Sequence, residues 1–357
     1  MNHQIHIHGS DIAFPCAPGQ SVLDAALQAG IELPYSCRKG SCGNCASTLL
    51  GGDIAACNGM AARSDLCGPG QVLLCGCTAA SDIRIQPGSF RRLDPEARKR
   101  FTAKVYSNAL AAPDVSLLRL RLPAGKRAKF EAGQYLLVHL GDGESRSYSM
   151  ANPPHESDGV TLHVRHVPDG RFSAIVQQLK PGDTLDIELP FGSIALQPDD
   201  TRPLVCVAGG TGFAPIKSVL DDLVRRKAQR DITLIWGARD PSGLYLPAAI
   251  DKWRKAWPRF RYIAAITDPA HALEDAHAGR VDDALRTHFA SLHGHVLHCC
   301  GSPALVNSVR SAASALGLMA QDFHADVFAA GPVGGNERPG MSGTAGQGTD
   351  AKTVAMN

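Results

Sequence analysis

"LPYSCRKGSCGNCASTLL", residues 33–50, places Cys37, Cys42 and Cys45 within nine consecutive positions. The whole chain has 357 residues and eleven cysteines. We expect it to be cytoplasmic, where thiols stay reduced, so a disulfide framework is not expected. Some of the cysteines should instead bind a metal or a cluster, or take part in catalysis.

The C-x4-C-x2-C spacing of these cysteines is typical of plant-type [2Fe–2S] sites, in which a distant fourth thiolate completes the set. Gly40 and Gly43 allow the backbone to wrap closely around a cluster. A structural zinc site is the alternative, but zinc sites usually pair two short C-x2-C or H-x3-H units and only one is present here. Four downstream cysteines could supply the fourth ligand: Cys57, Cys67, Cys75 and Cys77.

Composition narrows the possible partners of the chain. Its formal charge of +2 gives no electrostatic reason to expect a nucleic acid or a membrane partner. No run of roughly 18 or more apolar residues is present, so no membrane span is expected. The length predicts two or three domains rather than one core.

Three compositional blocks divide the chain. Residues 1–90 are rich in Cys and Gly, and 91–98 form a predicted linker. Short alternating stretches across 99–198 predict a small antiparallel barrel. Apolar strands alternate with helices across 199–330, which predicts a parallel sheet, and the Gly-rich segment 331–357 is predicted to be disordered. Three helices of the third block are predicted at 213–228, near 247–256 and at 303–316.

"RSYS", residues 146–149, lies near the end of one barrel strand. Alternation puts Arg146 and Tyr148 on one face and Ser147 and Ser149 on the other. An anionic ligand could therefore meet a guanidinium and an aromatic ring together. A surface strand with an incidental arginine explains the same residues equally well.

Two glycine turns lie at the ends of predicted parallel strands. "GGTGFAP", residues 209–215, opens a helix, where backbone amides can approach a phosphate. "CCGSP", residues 299–303, places Cys300 before Gly301 at the carboxyl edge of the sheet, where ligands of such sheets bind. A tight turn without a ligand is the alternative for the first of them.

Taken in order, these stretches resemble the ferredoxin–NAD(P) reductase superfamily, in the subgroup with an N-terminal plant-type ferredoxin domain. The resemblance is closest to the reductase components of ring-hydroxylating Rieske dioxygenases and covers residues 1 to about 328. It implies a multidomain fold: a β-grasp [2Fe–2S] ferredoxin domain at 1–90, an antiparallel β-barrel FAD-binding domain at 99–198, and an α/β parallel-sheet NAD(P)-binding domain at 199–330.

The resemblance also implies roles for individual residues. Cys75, in "QVLLCGC", occupies the place of the fourth cluster ligand, whereas periodicity alone does not separate it from Cys77, which would share its face in an extended segment. Arg146 would hold the FAD pyrophosphate, Tyr148 would pack on the isoalloxazine ring and Ser149 would lie near its N5. The further FAD-binding residues implied are Ser147, His163, Val164, Arg165, Gly170, Arg171, Phe172 and Ser173.

For the nicotinamide cofactor, the resemblance places the pyrophosphate at Gly210, Thr211 and Gly212. Cys300, next to Gly301, would face the nicotinamide beside the flavin, so Ser149 and Cys300 are the predicted catalytic residues. Many relatives carry Glu-x-Phe near the end of the domain. In this chain the corresponding residues are Asp326 and Phe328 in "FHADVF".

The choice between NADPH and NADH depends on the stretch "WGARDPSG". Arginine at this strand end favours a 2′-phosphate, and an acid favours a free 2′-hydroxyl. Arg239 and Asp240 supply both. The resemblance and Arg239 together predict NADPH, with NADH as the alternative.

The predicted function is electron transfer from NAD(P)H through FAD and a [2Fe–2S] cluster to a Rieske-type terminal oxygenase. The flavin is needed because a hydride carries two electrons and the cluster accepts one at a time. The aromatic substrate is not expected to bind this chain. Two alternatives remain: the same electron chain serving a deoxysugar dehydratase or a multicomponent hydroxylase, and a zinc-stabilised binding module without enzymatic activity.

Overall fold

The computed structural model describes residues 1–62, 66–94, 96–141, 143–193, 199–271 and 274–328. Within them the chain forms a mixed sheet with one helix, an antiparallel barrel, and a parallel sheet covered by helices. This is the three-part architecture predicted from the sequence. The tail predicted to be disordered, 331–357, lies outside the described residues.

The first unit carries the cysteine-rich loop. Its elements are β1 (His3–Ile7), β2 (Ala13–Cys16), α1 (Val22–Gln28), β3 (Ile31–Glu32), β4 (Ala46–Gly51), β5 (Ile54–Ala56), β6 (Gln71–Leu73), β7 (Cys77–Ala79) and β8 (Ile83–Pro87). The main sheet has the order β2-β1-β8-β4-β6, in which only β1 and β8 are parallel. Helix α1 begins after Ser21, whose side chain accepts a hydrogen bond from the backbone N–H of Asp24 at 3.0 Å.

The predicted linker is partly ordered structure. Its first two residues form β9 (Arg91–Arg92), which pairs antiparallel with β3. Arg91 contacts the buried carboxylate of Glu32 in the first unit, and its Nη1 lies 2.8 Å from Glu131 Oε1 in the second. Burial raises the pKa of Glu32, and the guanidinium of Arg91 opposes that shift. Arg91 is exposed, as expected for a linker, and it also joins two units.

The second unit is the barrel. Its elements are β10 (Lys99–Ala112), β11 (Val115–Arg121), β12 (Tyr135–His139), β13 (Ser145–Ser149), β14 (Gly159–Arg165), α2 (Arg171–Gln178) and β15 (Thr184–Phe191). The strands follow the order β13-β12-β15-β10-β11-β14, and every neighbouring pair is antiparallel. The backbone N–H of Ala151 donates to the carbonyl of Thr161 at 2.8 Å, so the first and last strands of the order meet. This contact closes the barrel.

The third unit is the parallel sheet. Its elements are β16 (Leu204–Gly209), α3 (Phe213–Arg225), β17 (Ile232–Ala238), α4 (Pro247–Ala256), β18 (Arg261–Ile266), β19 (His277–Ala278), α5 (Val281–His288), β20 (Val296–Gly301), α6 (Pro303–Ala315) and β21 (Phe323–Val327). The order is β19-β18-β17-β16-β20-β21, with all pairs parallel. Helices α3 and α4 cover one face, and α5 and α6 cover the other. Both faces are buried, which explains the continuous apolar strands.

The helix predictions for this unit are confirmed, with ends that differ by a few residues. The predicted helix 213–228 ends at Arg225, the second spans Pro247–Ala256 and the third spans Pro303–Ala315. Helix α5 and strand β21 were not predicted. Strand β21 is only five residues long and mixes His and Asp with apolar residues, so its sequence carries a weak strand signal.

Candidate functional site

The loop between β3 and β4 carries three predicted cluster ligands, and the fourth approaches from the turn between β6 and β7. The Sγ atoms of Cys45 and Cys75 are 3.3 Å apart. The backbone N–H groups of Lys39 and Ser41 each donate to Cys37 Sγ at 3.4 Å. Hydrogen bonds of this kind tune iron–sulfur potentials, so the loop fits the group that its spacing predicts.

The thiols of this loop form two pairs in which one member ionises easily. A hydrogen bond from the Cys42 thiol lowers the pKa of Cys37 to about 5, and one from Cys45 lowers the pKa of Cys75. Donation to the partner, followed by burial, raises the pKa of Cys42 and of Cys45. A [2Fe–2S] cluster is bound by four thiolates, and the two hydrogen-bonded pairs together supply four sulfurs.

Glycine is required at two points of the loop by its backbone conformation. Gly40 and Gly43 have φ values of +69° and +80°, in the left-handed region. The Sδ of Met60 would lie 3.3 Å from a Cβ added to Gly40. The two glycines therefore let the loop turn twice between its cysteines, as predicted.

Cys77, the rival for the fourth ligand, faces elsewhere. The expectation that it shares a face with Cys75 assumed an extended segment, but residues 74–76 form a turn. Cys77 then begins β7, pairs with Ala56 and is fully buried. Burial raises its pKa to about 12, with the neighbouring thiol of Cys57 adding to the shift. The assignment of Cys75 stays a prediction, and this geometry supports it.

Strand β13 brings the predicted pyrophosphate arginine beside a second one. Arg146 Nη2 lies 3.3 Å from Glu144 Oε2, and Arg171 Nη1 lies 2.5 Å from the same oxygen. Two guanidiniums converging on one carboxylate form a site for a dianionic group such as a pyrophosphate. The side chains of Ser147 and Ser149 lie on the other face of the strand, and Ser149 pairs with Tyr135 of β12.

Tyr148 packs over the first turn of α2. Its ring centroid is 4.9 Å from that of Phe172, and burial raises its pKa to about 12. Phe172 and Ser173 are themselves buried, so these residues could contact a ligand only through the backbone at the start of α2. A Cβ added to Gly170 would lie 2.4 Å from Val167 Cγ2, so glycine is required there.

The residues His163, Val164 and Arg165 of β14 do not all face one site. The side chain of Val164 is fully buried in the barrel core, so only its backbone could line the flavin, and its role stays a prediction. His163 Nδ1 lies 3.1 Å from Tyr245 Oη in the third unit, and burial lowers its pKa to about 3. His163 and Arg165 lie on the opposite face because side chains alternate along a strand. They therefore face the parallel-sheet unit.

The predicted phosphate loop is a single 3-10 turn, Gly210–Gly212, between β16 and α3. A Cβ added to Gly212 would lie 2.1 Å from the carbonyl oxygen of Cys300, and one added to Gly210 would lie 2.8 Å from Arg165 Nη2. Thr211 stands between them. The glycines thus bring the two strand ends together and leave Gly210 and Thr211, just before α3, partly exposed to a phosphate.

Cys300 lies in a buried polar cluster. Its Sγ is 3.4 Å from His298 Nε2 and 3.8 Å from Asp326 Oδ2, and His298 Nε2 is 3.1 Å from the same oxygen. Burial and the nearby carboxylate raise the pKa of Cys300 well above its ordinary value, so it is a neutral thiol. Burial opposes ionisation of Asp326, but hydrogen bonds from His298 and Ser36 outweigh it and lower its pKa.

The other residues predicted at this edge are close by. Cys300 and Asp326 are register partners on β20 and β21, and Gly301 pairs with Val327. The backbone N–H of Phe328 donates to the Gly301 carbonyl at 2.8 Å, and its ring is partly exposed. The structure thus brings all four predicted residues of this edge together.

The side chains of Arg239 and Asp240 differ in whether they are free to bind a ligand. Arg239 is exposed just beyond β17. Its carbonyl accepts a hydrogen bond from the backbone N–H of Asp268 at 2.9 Å, but its guanidinium makes no hydrogen bond or ion pair within the described part of the chain. Asp240 accepts hydrogen bonds from the backbone N–H of Ser242 at 2.9 Å and from its hydroxyl at 2.5 Å. The arginine is therefore free to meet an added phosphate, whereas the carboxylate already holds a turn.

Three residues of this site were not singled out from the sequence: His298, Tyr245 and Ser36. Alternation along "HVLHCCG" puts His298 on the same face as Cys300, so its position could have been predicted. Tyr245 and Ser36 reach the site from other parts of the chain, and no local pattern indicates them. Among the described residues, no helix is long and apolar enough to cross a membrane.

Three family models match the chain in succession. A 2Fe-2S iron-sulfur cluster binding domain matches residues 5–80, an oxidoreductase FAD-binding domain matches 102–196, and an oxidoreductase NAD-binding domain matches 206–311. The predicted order of cofactor domains is therefore confirmed. These matches leave the zinc-stabilised binding module without support.

The relatives agree with these domains. The chain is 86% identical over 334 residues to terephthalate 1,2-dioxygenase, reductase component 2, from Comamonas sp, covering 94% of this chain and 99% of that protein. It is 31% identical over 329 residues to the CDP-6-deoxy-L-threo-D-glycero-4-hexulose-3-dehydrase reductase of Yersinia pseudotuberculosis, covering 92% and 99%. Among solved structures, the Amycolatopsis cytochrome P450 reductase GcoB matches with a TM-score of 0.72 and 28% identity, covering 91% and 98%.

Proposed function

This chain belongs to the family of iron–sulfur flavoprotein reductases that includes the terephthalate 1,2-dioxygenase reductase components, and from this premise we propose that it supplies electrons to a terephthalate dioxygenase. The observation that carries the proposal is the 86% identity across 94% of the chain. The Yersinia deoxysugar reductase is far less similar, at 31%. The chain is an NAD(P)H-dependent oxidoreductase with FAD and a [2Fe–2S] cluster.

Four thiolates would hold the cluster: Cys37, Cys42, Cys45 and Cys75. The short distance between Cys45 and Cys75 and the two backbone donors to Cys37 support this set. Of the four cysteines, only Cys37 is partly exposed, and the other three are buried from water. A low-dielectric site of this kind strengthens each hydrogen bond to sulfur.

For the flavin, Arg146 and Arg171 would hold the pyrophosphate in place of Glu144. Tyr148 would pack on the ring and Ser149 would lie near N5, with the backbone at Gly170 helping to hold the phosphates. When bound, FAD accepts a hydride and passes its two electrons on one at a time, which neither NADPH nor the cluster can do. The buried Tyr148 remains a neutral phenol at physiological pH, so it contributes an uncharged surface.

For the nicotinamide cofactor, the 3-10 turn Gly210–Gly212 and the start of α3 would bind the pyrophosphate. Cys300 and Ser149 would be the residues nearest the hydride path. Cys300 stays protonated, and His298 and Asp326 orient its side chain. Arg239 would hold a 2′-phosphate, so we propose NADPH as the preferred donor.

The electron acceptor would be a terminal oxygenase of the Rieske type, and the aromatic substrate would bind to that partner. Lys39 is exposed next to the cluster loop, whereas Arg38 is paired with Asp24 at 2.5 Å. Lys39 is therefore the cation available to an acidic partner at this edge.

The test is reconstitution with defined partners. The purified holoprotein, NADPH and a terephthalate-dioxygenase terminal oxygenase should together dihydroxylate terephthalate, with one NADPH consumed per product. Replacing the oxygenase by a deoxysugar dehydratase supplied with its own substrate should give little product. Efficient turnover with the dehydratase and none with the oxygenase would overturn the proposed partner while leaving the electron chain intact.

A further inference from the structure

The cluster loop lies against the parallel-sheet unit. Asn44 Nδ2 donates to the carbonyl of Ala325 at 2.9 Å, and the backbone N–H of Ala325 donates to Asn44 Oδ1 at 3.2 Å. Arg310 Nη2 on helix α6 donates to the carbonyl oxygen of Cys42 at 2.6 Å. The Cys42 side chain is buried and packs in the core cluster beneath α5 and α6. The loop is therefore docked, at a site that the sequence did not indicate.

Asp326 takes part in both the docking and the Cys300 site. Its Oδ1 accepts a hydrogen bond from Ser36 Oγ at 2.6 Å, and its Oδ2 lies 3.1 Å from His298 Nε2. Ser36 directly precedes the cluster ligand Cys37. The Asp326 carboxylate thus links Ser36, beside the iron–sulfur ligands, to the side chains that are expected to face the nicotinamide.

The preceding residue anchors the loop to the barrel. The backbone N–H of Tyr35 donates to Ser193 Oγ at 2.7 Å, and the backbone N–H of Gly192 donates to Tyr35 Oη at 3.0 Å. Ser193 also donates from its backbone N–H to the carbonyl of Tyr35 at 3.1 Å. Consecutive residues, Tyr35 and Ser36, therefore bind the two cofactor domains immediately before the first ligand.

The docking contacts are strong individually and few in number. The Ser36–Asp326 bond is charge-assisted and sheltered from solvent, which makes it stronger than a neutral surface bond. Arg310 stacks over the Phe323 ring at 4.1 Å, and its Nε has no partner among the described residues. Removal of the loop would leave Asp326 and Arg310 short of partners in a half-buried place, so the docked arrangement is favoured.

We propose that Ser36, acting through Asp326, is a positioning residue that holds the cluster loop at the junction of the FAD- and NAD-binding domains. This role rests on the electron chain proposed above, and it adds the requirement that the cluster loop be docked. Electron tunnelling falls steeply with distance, so delivery to the cluster depends on docking. Hydride delivery from NADPH depends on the other two domains, in which Asp326 keeps its contact with His298 when the Ser36 hydroxyl is removed.

The main experiment compares Ser36→Ala with wild-type holoprotein. Hydrogen–deuterium exchange of the peptide covering Phe323–Val327 should increase in the variant, because loss of one charge-assisted bond shifts the docking equilibrium on the order of tenfold. Stopped-flow mixing with NADPH should show flavin bleaching within about twofold of wild type. Reduction of the cluster, followed by its own absorbance and by electron paramagnetic resonance, should slow on the order of tenfold.

Two further variants separate positioning from simple damage. Ser47→Ala makes the same change in β4 of the first unit, at a buried hydroxyl that has no hydrogen-bond partner among the residues the structure describes, and should leave both phases unchanged. Ser36→Thr retains the hydroxyl and should restore the cluster phase. If Ser36→Ala does not assemble its cluster, Arg310→Gln removes a docking contact from the other side and is measured in the same way.

The outcomes are distinct. Unchanged exchange at Phe323–Val327 together with an unchanged cluster phase would overturn the positioning role. An equal slowing of flavin bleaching would also overturn it, because Ser36 would then act on hydride delivery. Failure of the wild-type protein to reduce its cluster with NADPH would instead refute the proposed electron chain.

Discussion

Two cysteine sites in this chain show opposite chemistry. In the cluster loop, a thiol neighbour lowers the pKa of Cys37 to about 5. At the end of β20, burial and the carboxylate of Asp326 raise the pKa of Cys300 well above its ordinary value. Neighbours and burial thus set the pKa of a thiol, but a raised pKa does not exclude a cluster ligand, because the pKa values of Cys42 and Cys45 are also raised in the loop.

The largest expected effect tests the ligand side of this comparison. Cys75→Ser should abolish the cluster absorbance and the paramagnetic signal of the reduced protein while leaving the flavin bound. Cys77→Ser, in β7, should retain both signals, because Cys77 lies in the pair of strands beyond the turn. NADPH-driven reduction of cytochrome c should fall to the flavin-only background in the first variant alone. Loss of the cluster in Cys77→Ser and its retention in Cys75→Ser would reverse the assignment.

The neutral-thiol side is tested at the end of β20. Cys300→Ala should slow flavin bleaching by NADPH about tenfold to a hundredfold, since a small displacement of the nicotinamide is costly to hydride transfer. The cluster signal should persist. Cys299→Ala is the matched control, because its side chain faces the opposite side of the sheet, in the core beneath α5 and α6. Equal slowing by both variants would indicate a general packing defect.

A third substitution tests whether the guanidinium of Arg239 determines the preference for NADPH over NADH. Arg239→Ala should lower kcat/KM for NADPH about tenfold, the amount expected for one lost charge-assisted contact to a phosphate, and should leave NADH unaffected. Arg259→Ala, an exposed arginine paired only with Asp231, should change neither value. A preference for NADH in the unmodified protein would assign the 2′-hydroxyl to Asp240 instead.

The smallest expected effect concerns the buried base His163. Burial lowers the pKa of a base, whereas it raises the pKa of the Cys300 thiol. The pKa of His163 is lowered to about 3, whereas the unfolded chain titrates near 6.5. The unfolded state therefore binds a proton first, and stability falls as the pH drops below about 6.5, by up to about 1.4 kcal/mol per pH unit. Between pH 7 and pH 5 the first thermal transition should fall by a few degrees more in wild type than in His163→Gln.

The control for that measurement is His155→Gln, a change at an exposed histidine of the same unit, which should leave the wild-type pH dependence in place. If His163→Gln shows the same acid sensitivity as wild type, the buried imidazole is not its source. Differential scanning calorimetry at several pH values provides the comparison.

Local sequence patterns predicted most of the features that are formed by residues close together in the chain. The cysteine spacing, the glycine turns and the helices at 213–228, near 247–256 and at 303–316 each follow from neighbouring residues. Cys75 and Cys77 could not be separated by periodicity because a turn, and not an extended strand, lies between them. The three-part architecture could be predicted because alternation and continuous apolar runs distinguish an antiparallel barrel from a parallel sheet.

Contacts between distant parts of the chain could not be predicted in this way. Ser36 and Asp326 are 290 positions apart, and nothing in either neighbourhood indicates the other. The resemblance implies Val164 beside the flavin, and strand alternation puts its side chain in the core, so only its backbone could lie there. The role of a residue within a motif therefore still depends on which face of its strand it occupies.

Arg91 has a consequence for how such reductases could be recombined. Its guanidinium bonds to Glu32 on one side of the linker and to Glu131 on the other, so the natural boundary between modules is also a shared ion pair. A chimera that exchanges the first module at this boundary would bury Glu32 without its counter-ion, unless Arg91, Glu32 and Glu131 are all taken from the same parent protein. In a lineage built by gene fusion, these three positions should therefore change as a set.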